Sequence, residues 1–369
     1  MTISLDKELA SGRRGPDRLA PPGAKARRLP SRLRGVDWVA YAYVLPSGVL
    51  LGVFGLWPVA FGFWISLWQW GIVPERFVGL GNYAHIFGSD LVDHDASGHL
   101  QAGPVGQALL NTIYYTVATV GASVALAFVI AYLLFRVRAL RNLLRTLFFL
   151  PYATTITASG LVFVWIFDPQ LGVANAVLRA LGLPAQTWLL DPTPIGRKLL
   201  APIGLSPGLP DALLGPSVAL CVVIVFSVWN TLGFSVMIYL SGLSALPREL
   251  MDAADIDGAA GWRKVRHVVL PLVSPTTLFL LVYTTAMSFK AFTPIYALTQ
   301  GGFGGGNGVQ RAGGPLGTTN VLTIEIFNDF YQEQNKVGYA SAVSFLLLAV
   351  LMLLTLLQFR LLGRRTHYA

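Results

Sequence analysis

The chain has 369 residues, of which 54% are hydrophobic and only 12% are charged, and its mean hydropathy is +0.59. A soluble domain typically carries about 25% charged residues, so this composition excludes an ordinary soluble domain and indicates a membrane protein. The single cysteine, Cys221, excludes both an intrachain disulfide framework and a Cys-x-x-Cys metal or redox motif.

The N-terminal segment, residues 1–37, is rich in proline, arginine and glycine and has no apolar core, so it does not resemble a cleavable signal peptide. We expect a basic, disordered cytoplasmic tail here. A six-helix transmembrane domain is predicted to follow it over residues 38–365.

Six charge-free stretches beyond the tail are long enough to cross a bilayer, which takes about 20 apolar residues. A seventh, residues 291–310, contains "GGFGGGNG", whose glycines would expose backbone polar groups to lipid, so we do not predict a span there. The predicted fold class is therefore an all-α membrane protein. Its spans cover about residues 42–68, 112–135, 146–167, 217–241, 270–292 and 338–360.

The lysines and arginines are distributed unevenly between the two sides of this arrangement. The tail, the loops 136–145 and 242–269 and the C-terminal end hold 20 of them, whereas the opposite loops hold six. Basic loops stay in the cytoplasm, so we expect a multi-pass membrane protein with both termini cytoplasmic. The net charge of +9 is then explained by the membrane topology. We expect membrane lipid as a partner and no binding of nucleic acid.

Two outer loops carry recognisable segments. Residues 93–99, "DHDASGH", suit either a metal ion or a solvated loop; because no further ligand cluster accompanies them, we favour the loop and predict no metal site. The loop 168–216 contains "GVANAVLRALGL", which predicts a helix at the membrane interface. Glycine- and proline-rich turns follow it.

The inner loop before the fifth span reads "LMDAADIDGAAGWRKVRHVVLPLVSP" over residues 250–275. Pro247 suits the first turn of a helix whose acidic residues lie near its positive N-terminal end. Gly258 permits a sharp turn, and a second short helix is predicted over residues 259–268. The resulting elbow, residues 244–268, suits either a groove on another protein or a position flat on the membrane surface.

Asp252-Ala253-Ala254, followed at matching spacing by Gly258, Val268 and Leu270-Pro271, resembles the EAA signature of binding-protein-dependent ABC transporter permeases. Asp252 stands in place of the family's Glu, and Val268 in place of its Ile. The segments "RTLFFLPYATT", "WIFDPQLGVANAVL" and "FKAFTPIYALTQGG" are also similar to the family, and the resemblance covers roughly residues 40–365. It points to permeases for sugars and glycerol phosphates, of the type of the first permease subunit in maltose and glycerol-3-phosphate importers.

The resemblance implies a type I ABC importer permease fold in the plasma membrane of a bacterium or archaeon, and a role for the elbow as a coupling helix on a separate ATPase subunit. It also implies three kinds of partner: a second homologous permease, two nucleotide-binding subunits and an extracytoplasmic solute-binding protein. The chain contains no G-x-x-x-x-G-K-[ST], so we expect ATP and Mg on the partner subunits, no cofactor here and no enzymatic activity. The predicted coupling residues are Glu249, Asp252, Ala253, Ala254, Asp257, Gly258, Ala259 and Arg263.

Alignment to maltose-type relatives implies a substrate path, to which two polar residues within the spans are added. Asn230 either bonds across helices or faces a cavity, and Lys290 either reaches the membrane interface or contacts a ligand. The alternatives to a carbohydrate importer are an ABC permease for a non-sugar solute and a self-sufficient secondary transporter or membrane enzyme. The predicted path residues are Asn230, Gly233, Val236, Thr284, Met287, Ser288, Lys290 and Ala291.

Overall fold

The computed structural model describes residues 38–94, 100–137, 141–201, 204, 213–259, 261–299, 312–333 and 336–362. The predictions for the tail 1–37, for most of "DHDASGH" and for "GGFGGGNG" fall outside these residues and stay predictions. Contacts divide the chain into two compact units, residues 1–57 and residues 58–369. The first unit is described over residues 38–57, which are helical.

Most of the described residues are helical. The longer helices are α1 (Trp38–Leu51), α2 (Trp57–Ser66), α4 (Pro104–Arg136), α5 (Arg141–Ala153), α6 (Ile156–Ile166), α9 (Val218–Ser244), α10 (Arg248–Ile256), α13 (Ser274–Phe289), α15 (Leu322–Tyr331) and α16 (Val337–Leu362). The shorter helices are α3 (Gly81–His85), α7 (Val173–Ala180), α8 (Ile195–Leu200), α11 (Trp262–Lys264), α12 (Leu270–Leu272) and α14 (Thr293–Thr299). Strands β1 (Trp68–Trp70) and β2 (Pro74–Phe77) form one antiparallel hairpin, and β3 (Val92–His94) and β4 (Leu100–Ala102) form another.

Four helical segments of the described chain are long and apolar enough to cross a membrane: Tyr41–Ser66, Pro104–Arg136, Val218–Ser244 and Val337–Leu361. Two bent helix pairs raise the number to six if each pair forms one span. The prediction of an all-α membrane protein with helices at six positions is confirmed. The first of these segments passes through a wider, π-type turn between α1 and α2, at Gly52–Leu56.

The third predicted span is not one continuous helix, as the prediction for 146–167 had assumed. The axes of α5 and α6 differ by 94° at the intervening Thr154 and Thr155. Thr155 adopts extended backbone angles, so the carbonyl of Pro151 lacks its usual helical partner. The hydroxyl and the N–H of Thr154 donate to this carbonyl instead, at 2.7 Å and 3.3 Å. Side-chain hydrogen bonding therefore makes the bend compatible with a membrane interior.

The fifth predicted span, 270–292, also begins later than expected. The helix α13 starts at Ser274, and the preceding segment Trp262–Leu272 meets it at 68°. The second helix of the elbow was predicted over 259–268, but it begins at Trp262. Gly261 explains the difference, because its φ of +58° and ψ of −128° cannot belong to a right-handed helix.

The helices α4 and α9 form the central pair of the second unit. Their facing sides are buried together over most of their length, with small residues such as Ala127 and Ala131 allowing close approach. Two side-chain hydrogen bonds cross this interface, from Tyr115 to Ser227 at 2.8 Å and between Ser123 and Thr231 at 3.1 Å. This pair is the frame against which α5, α13 and the elbow pack.

The predicted interfacial helix lies within 168–216 as α7, Val173–Ala180. The loop around it is organised by the fully buried Asn175, whose amide nitrogen donates to the carbonyls of Pro169 and Gln186. The Asn175 side-chain oxygen accepts from the Gln186 N–H and from the Trp188 indole at 2.8 Å. All the polar capacity of this side chain is therefore used within the loop.

A buried ion pair reinforces the same loop. Lys198 donates to the carboxylate of Asp191 and to the side chain of Gln186. Burial opposes ionisation of Asp191, but the hydrogen bonds from Lys198 and Thr193 and the charge of Lys198 outweigh it. The pKa of Asp191 therefore lies below its ordinary value.

Candidate coupling elbow and transport path

The first arm of the elbow, α10, ends in a turn that requires glycine. The N–H of Ala259 donates to the carbonyl of Ala254 at 2.9 Å, and the N–H of Gly258 donates to that of Asp255 at 3.2 Å. This pair of bonds forms a Schellman motif, in which the residue at the position of Gly258 adopts a left-handed backbone conformation. The φ angle of Gly258 is +76°. A Cβ at this position would meet no atom within 4 Å. Glycine is therefore required by the backbone conformation and not by crowding within the chain.

One lysine ties the two arms of the elbow together. The ammonium of Lys264, on α11, donates to the carboxylate of Asp255 at 2.7 Å and to the carbonyl of Met251 at 3.0 Å. The Lys264 side chain is 14% exposed, whereas that of Asp255 is 62% exposed. These hydrogen bonds from Lys264 fix the angle between the two arms from within the elbow. The Asp255 carboxylate remains accessible to solvent.

The elbow is anchored to the helix frame by apolar side chains. Val265 and Val269, after the turn, are buried in the same cluster as Leu240 and Leu243 near the end of α9. Met251, from α10, packs against this cluster. The second arm therefore continues into the packed helices, and a displacement of the elbow would be transmitted to α9.

The opposite side of the elbow is exposed and carries most of the predicted coupling residues. Ala254 is the exception because it is buried, and Ala259 is half-buried. The exposed members are Glu249, Asp252, Ala253, Asp257, Gly258 and Arg263. The structure thus brings the predicted coupling residues together around one turn.

Two apolar side chains flank this turn and were missed by sequence reasoning. Ile256 is 87% exposed and Trp262 is 69% exposed, on either side of Gly258. A third, Leu250, contributes to a groove of about 400 Å³ between α10 and the helical turn before α13. The groove is lined by Leu250, Ala253, Ala254, Asp257, Ala259, His267, Val268, Pro271 and Leu272. Large apolar residues beside a glycine turn, among charged neighbours, were the available signal.

Asn230 takes the first of the two roles considered for it. It is buried on α9, and its amide donates to the carbonyl of Pro151 in α5 at 3.0 Å. This bond joins α9 to the bend between α5 and α6. The neighbouring Trp229 packs against Phe163, with ring centroids 5.1 Å apart.

The remaining predicted path residues differ in their surroundings. A Cβ on Gly233 would lie 2.1 Å from the carbonyl oxygen of Phe148, so this glycine permits the close approach of α5 to α9. Val236 is buried between α4 and α9. The residues Thr284, Ser288 and Ala291 are also buried, and the residues Met287 and Lys290 are exposed. Solute contact by any of them stays a prediction.

An aromatic row adjoins the exposed side of α13. The ring of Phe234, on α9, lies between Tyr152 of α5 and Tyr283 of α13, with centroids 5.2 Å and 4.9 Å away. Phe149 extends the row beyond Tyr152, and Phe279 extends it beyond Tyr283. The spacing of Phe279, Tyr283 and Met287 on α13, and of Lys290 directly after it, places them along one side of the helix.

Sequence reasoning missed this row because its members come from three helices. Each aromatic residue alone is ordinary in an apolar span, and only packing brings the rings into a series. Two of the predicted path residues, Met287 and Lys290, share the helix side of Phe279 and Tyr283, and aromatic faces suit stacking against a planar or ring-shaped solute.

Comparison with known families gives one model match over two thirds of the chain. The family described as "Binding-protein-dependent transport system inner membrane component" matches residues 123–368. This range includes the C-terminal part of α4, all of α9, the elbow and the aromatic row.

The chain also matches individual relatives over nearly its whole length, at 28% sequence identity. The chain is 28% identical over 332 residues to the sn-glycerol-3-phosphate transport system permease protein UgpA of Agrobacterium fabrum, covering 89% of this chain and 96% of that one. It is 28% identical over 328 residues to the probable ABC transporter permease protein YurN of Bacillus subtilis, covering 87% and 95%.

A solved structure shares the fold. It is the crystal structure of a bacterial alginate ABC transporter in complex with alginate pentasaccharide-bound periplasmic protein, and one of its chains superposes with a TM-score of 0.67. The match has 20% sequence identity and covers 90% of this chain and 96% of that chain.

Proposed function

We propose that this chain, which belongs to the family of binding-protein-dependent transport system inner membrane components, forms half of the translocation path of an ATP-driven carbohydrate importer. The chain is a multi-pass membrane permease with the type I ABC importer fold. The finer statements about coupling, solute and partners are inferences from the elbow and the aromatic row.

The elbow is the observation that carries the proposal. A rigid turn presents acidic, basic and apolar side chains together, while its second arm continues into the packed helices. Such a surface suits a cleft on a separate nucleotide-binding subunit, because side chains of both polarities are available for contact. Movement of that subunit on binding ATP would then be transmitted through Val265 and Val269 to the helix frame.

The partners follow from this arrangement. A second, homologous permease would complete the path, and two ATPase subunits, holding ATP and Mg, would contact the two elbows. An extracytoplasmic solute-binding protein would deliver the solute, in the way that a pentasaccharide-bound periplasmic protein accompanies the alginate transporter. The uneven distribution of lysine and arginine supports an N-terminus and an elbow in the cytoplasm.

The solute is proposed to be a mono- or oligosaccharide or a glycerol phosphate. The relative from Agrobacterium fabrum is named for sn-glycerol-3-phosphate transport, and the fold relative transports alginate. The aromatic row of Tyr152, Phe234 and Tyr283 supports the sugar class, because aromatic faces pack well against the apolar faces of pyranose rings. A non-sugar solute is the alternative outcome of the uptake measurement below.

Two substitutions of Gly258 test the coupling role. The complete transporter would be reconstituted in proteoliposomes, and uptake of labelled sugars and ATPase stimulation by the binding protein would be measured. Gly258→Val should reduce both at least about tenfold, because a β-branched residue is strongly disfavoured at positive φ. Gly258→Asn should retain much more activity, because asparagine tolerates this conformation.

Membrane insertion and assembly of each variant would be checked by copurification of the subunits. Normal uptake and normal ATPase stimulation in Gly258→Val would contradict the coupling role. If the transporter takes up a non-sugar solute and none of the sugars tested, the coupling role would stand and the proposed solute would be wrong.

A further inference from the structure

We infer that the junction of α4 and the elbow binds the headgroup of an anionic phospholipid. A pocket of about 310 Å³ lies at this junction, at the end of α4 from which the basic loop 136–145 departs. It is lined by Tyr132, Phe135, Arg136, Met251, Asp255, Gly261 and Lys264. The inference concerns lipid and does not depend on the proposed transport function.

Two cations reach this pocket from different elements. Arg136 is exposed at the end of α4, with its guanidinium carbon 5.6 Å from the ring centroid of Tyr132. Lys264 reaches it from the elbow, where two of its three ammonium donors are used by Asp255 and Met251. Among the residues that the structure describes, no partner takes the third donor of Lys264 or the hydrogen-bond donors of Arg136, so both remain for an anion.

The charge balance of the pocket favours an anion. Asp255 is its one acidic lining residue, and it is already paired with Lys264. Among the described residues, no carboxylate forms an ion pair with Arg136. A phosphate between the two cations would therefore meet a net positive site with unused hydrogen-bond donors.

An apolar stripe leads along α4 to the same place, which distinguishes a lipid from a free anion. Leu126, Val129 and Leu133 are exposed at helical spacing, and the next position of the stripe is Arg136. A phospholipid could lay an acyl chain on this stripe while its phosphate sits between Arg136 and Lys264. Inorganic phosphate would use the cations but leave the stripe bare.

The binding would have a structural consequence. A headgroup held by both cations connects the end of α4 to the elbow, whose arms Lys264 already joins. Anionic lipid should therefore stabilise the elbow against α4 more than zwitterionic lipid does.

The test uses the full chain within its purified complex, in phosphatidylcholine nanodiscs and in detergent. Binding of dioctanoyl phosphatidylglycerol would be measured by native mass spectrometry and by the shift in unfolding temperature. Dioctanoyl phosphatidylcholine and inorganic phosphate are the comparison ligands. We expect phosphatidylglycerol to bind more tightly than either, and Arg136→Gln and Lys264→Gln each to weaken it about tenfold.

Arg266→Gln is the matched control, because Arg266 is exposed on the same part of the elbow but does not line the pocket. It should leave phosphatidylglycerol binding unchanged. Lys264→Arg should preserve binding, and Arg136→Gln decides the matter if Lys264→Gln loosens the elbow itself.

Three outcomes would overturn the inference. Equal loss in Arg136→Gln and Arg266→Gln would mean that general surface charge attracts the lipid. Equal binding of phosphatidylcholine would mean that the stripe alone is responsible. Phosphate binding as strong as that of phosphatidylglycerol would identify a free-anion site instead of a lipid site.

Discussion

The side-chain amide of Asn230 donates to the carbonyl of Pro151 at 3.0 Å, where the third membrane segment bends through 94°. The bend removes the α-helical partner of this carbonyl, and the Asn230 amide from α9 joins the hydroxyl and N–H of Thr154 as its donors. A sharp turn of the chain and the helix beside it are thereby linked in an apolar environment, in which an unpaired carbonyl is costly.

Asn230→Leu should destabilise the protein by about 1–2 kcal/mol, because it removes this donor from an interhelical hydrogen bond. The measurement is equilibrium unfolding in mixed micelles, followed by circular dichroism. Thr355→Val is the control, because the Thr355 hydroxyl donates to Leu351 of its own helix and to no other described residue, so its loss should cost a few tenths of a kcal/mol. Equal effects of the two substitutions would rule out a special role for Asn230.

Gly233→Ala should destabilise the protein by about 1–3 kcal/mol, because the added methyl group would lie 2.1 Å from the Phe148 carbonyl oxygen and force α5 away from α9. Gly121→Ala is the matched control in α4, where a Cβ would meet no atom within 4 Å. It should be neutral or stabilising, because alanine favours the helix. The same unfolding measurement applies. Unchanged stability with a raised KM would instead support the solute contact predicted for Gly233.

Tyr283→Leu should raise the KM for sugar uptake about fivefold, because it removes an aromatic face worth about 1 kcal/mol from the centre of the row. Tyr283→Phe retains the ring and should leave the KM nearly unchanged. Uptake by reconstituted transporter over a range of sugar concentrations separates the two. Identical kinetics in both variants would exclude the row from the sugar path.

Acid should weaken the loop 168–216 through Asp191. Because the pKa of Asp191 is lowered from 3.8 by folding, the unfolded chain binds the proton more tightly, and the stabilisation is complete above the ordinary value. It should disappear as the pH falls from about 4 through the lowered pKa. The measurement is the unfolding midpoint of the detergent-solubilised protein between about pH 6 and pH 2.

Asp191→Asn should flatten this part of the pH profile and lower the stability at neutral pH. Glu75→Gln, in an exposed position on β2, serves as the control and should follow the unmodified protein. A profile for Asp191→Asn that falls as steeply in acid as that of the unmodified protein would refute the assignment.

The amino-acid sequence alone determined the class of protein and the positions of its membrane segments. Long charge-free runs must be helical in lipid, because the backbone has no other source of hydrogen bonds there. The positions of Asp252, Gly258 and Pro271 likewise predicted an elbow, since spacing along the chain carries that pattern. Local rules were sufficient for these features because each depends on consecutive residues.

Tertiary packing alone decided the features that combine distant residues. Asn230 joins the bend after Ala153 to α9, and the aromatic row depends on helices α5, α9 and α13 meeting. The ion pair of Lys264 with Asp255 likewise depends on the turn between them. Because of this turn, the second arm of the elbow begins at Trp262 and not at residue 259, as the sequence had predicted. Composition and periodicity describe one segment at a time, whereas hydrogen bonding and ring contact across segments require the geometry with which the helices pack.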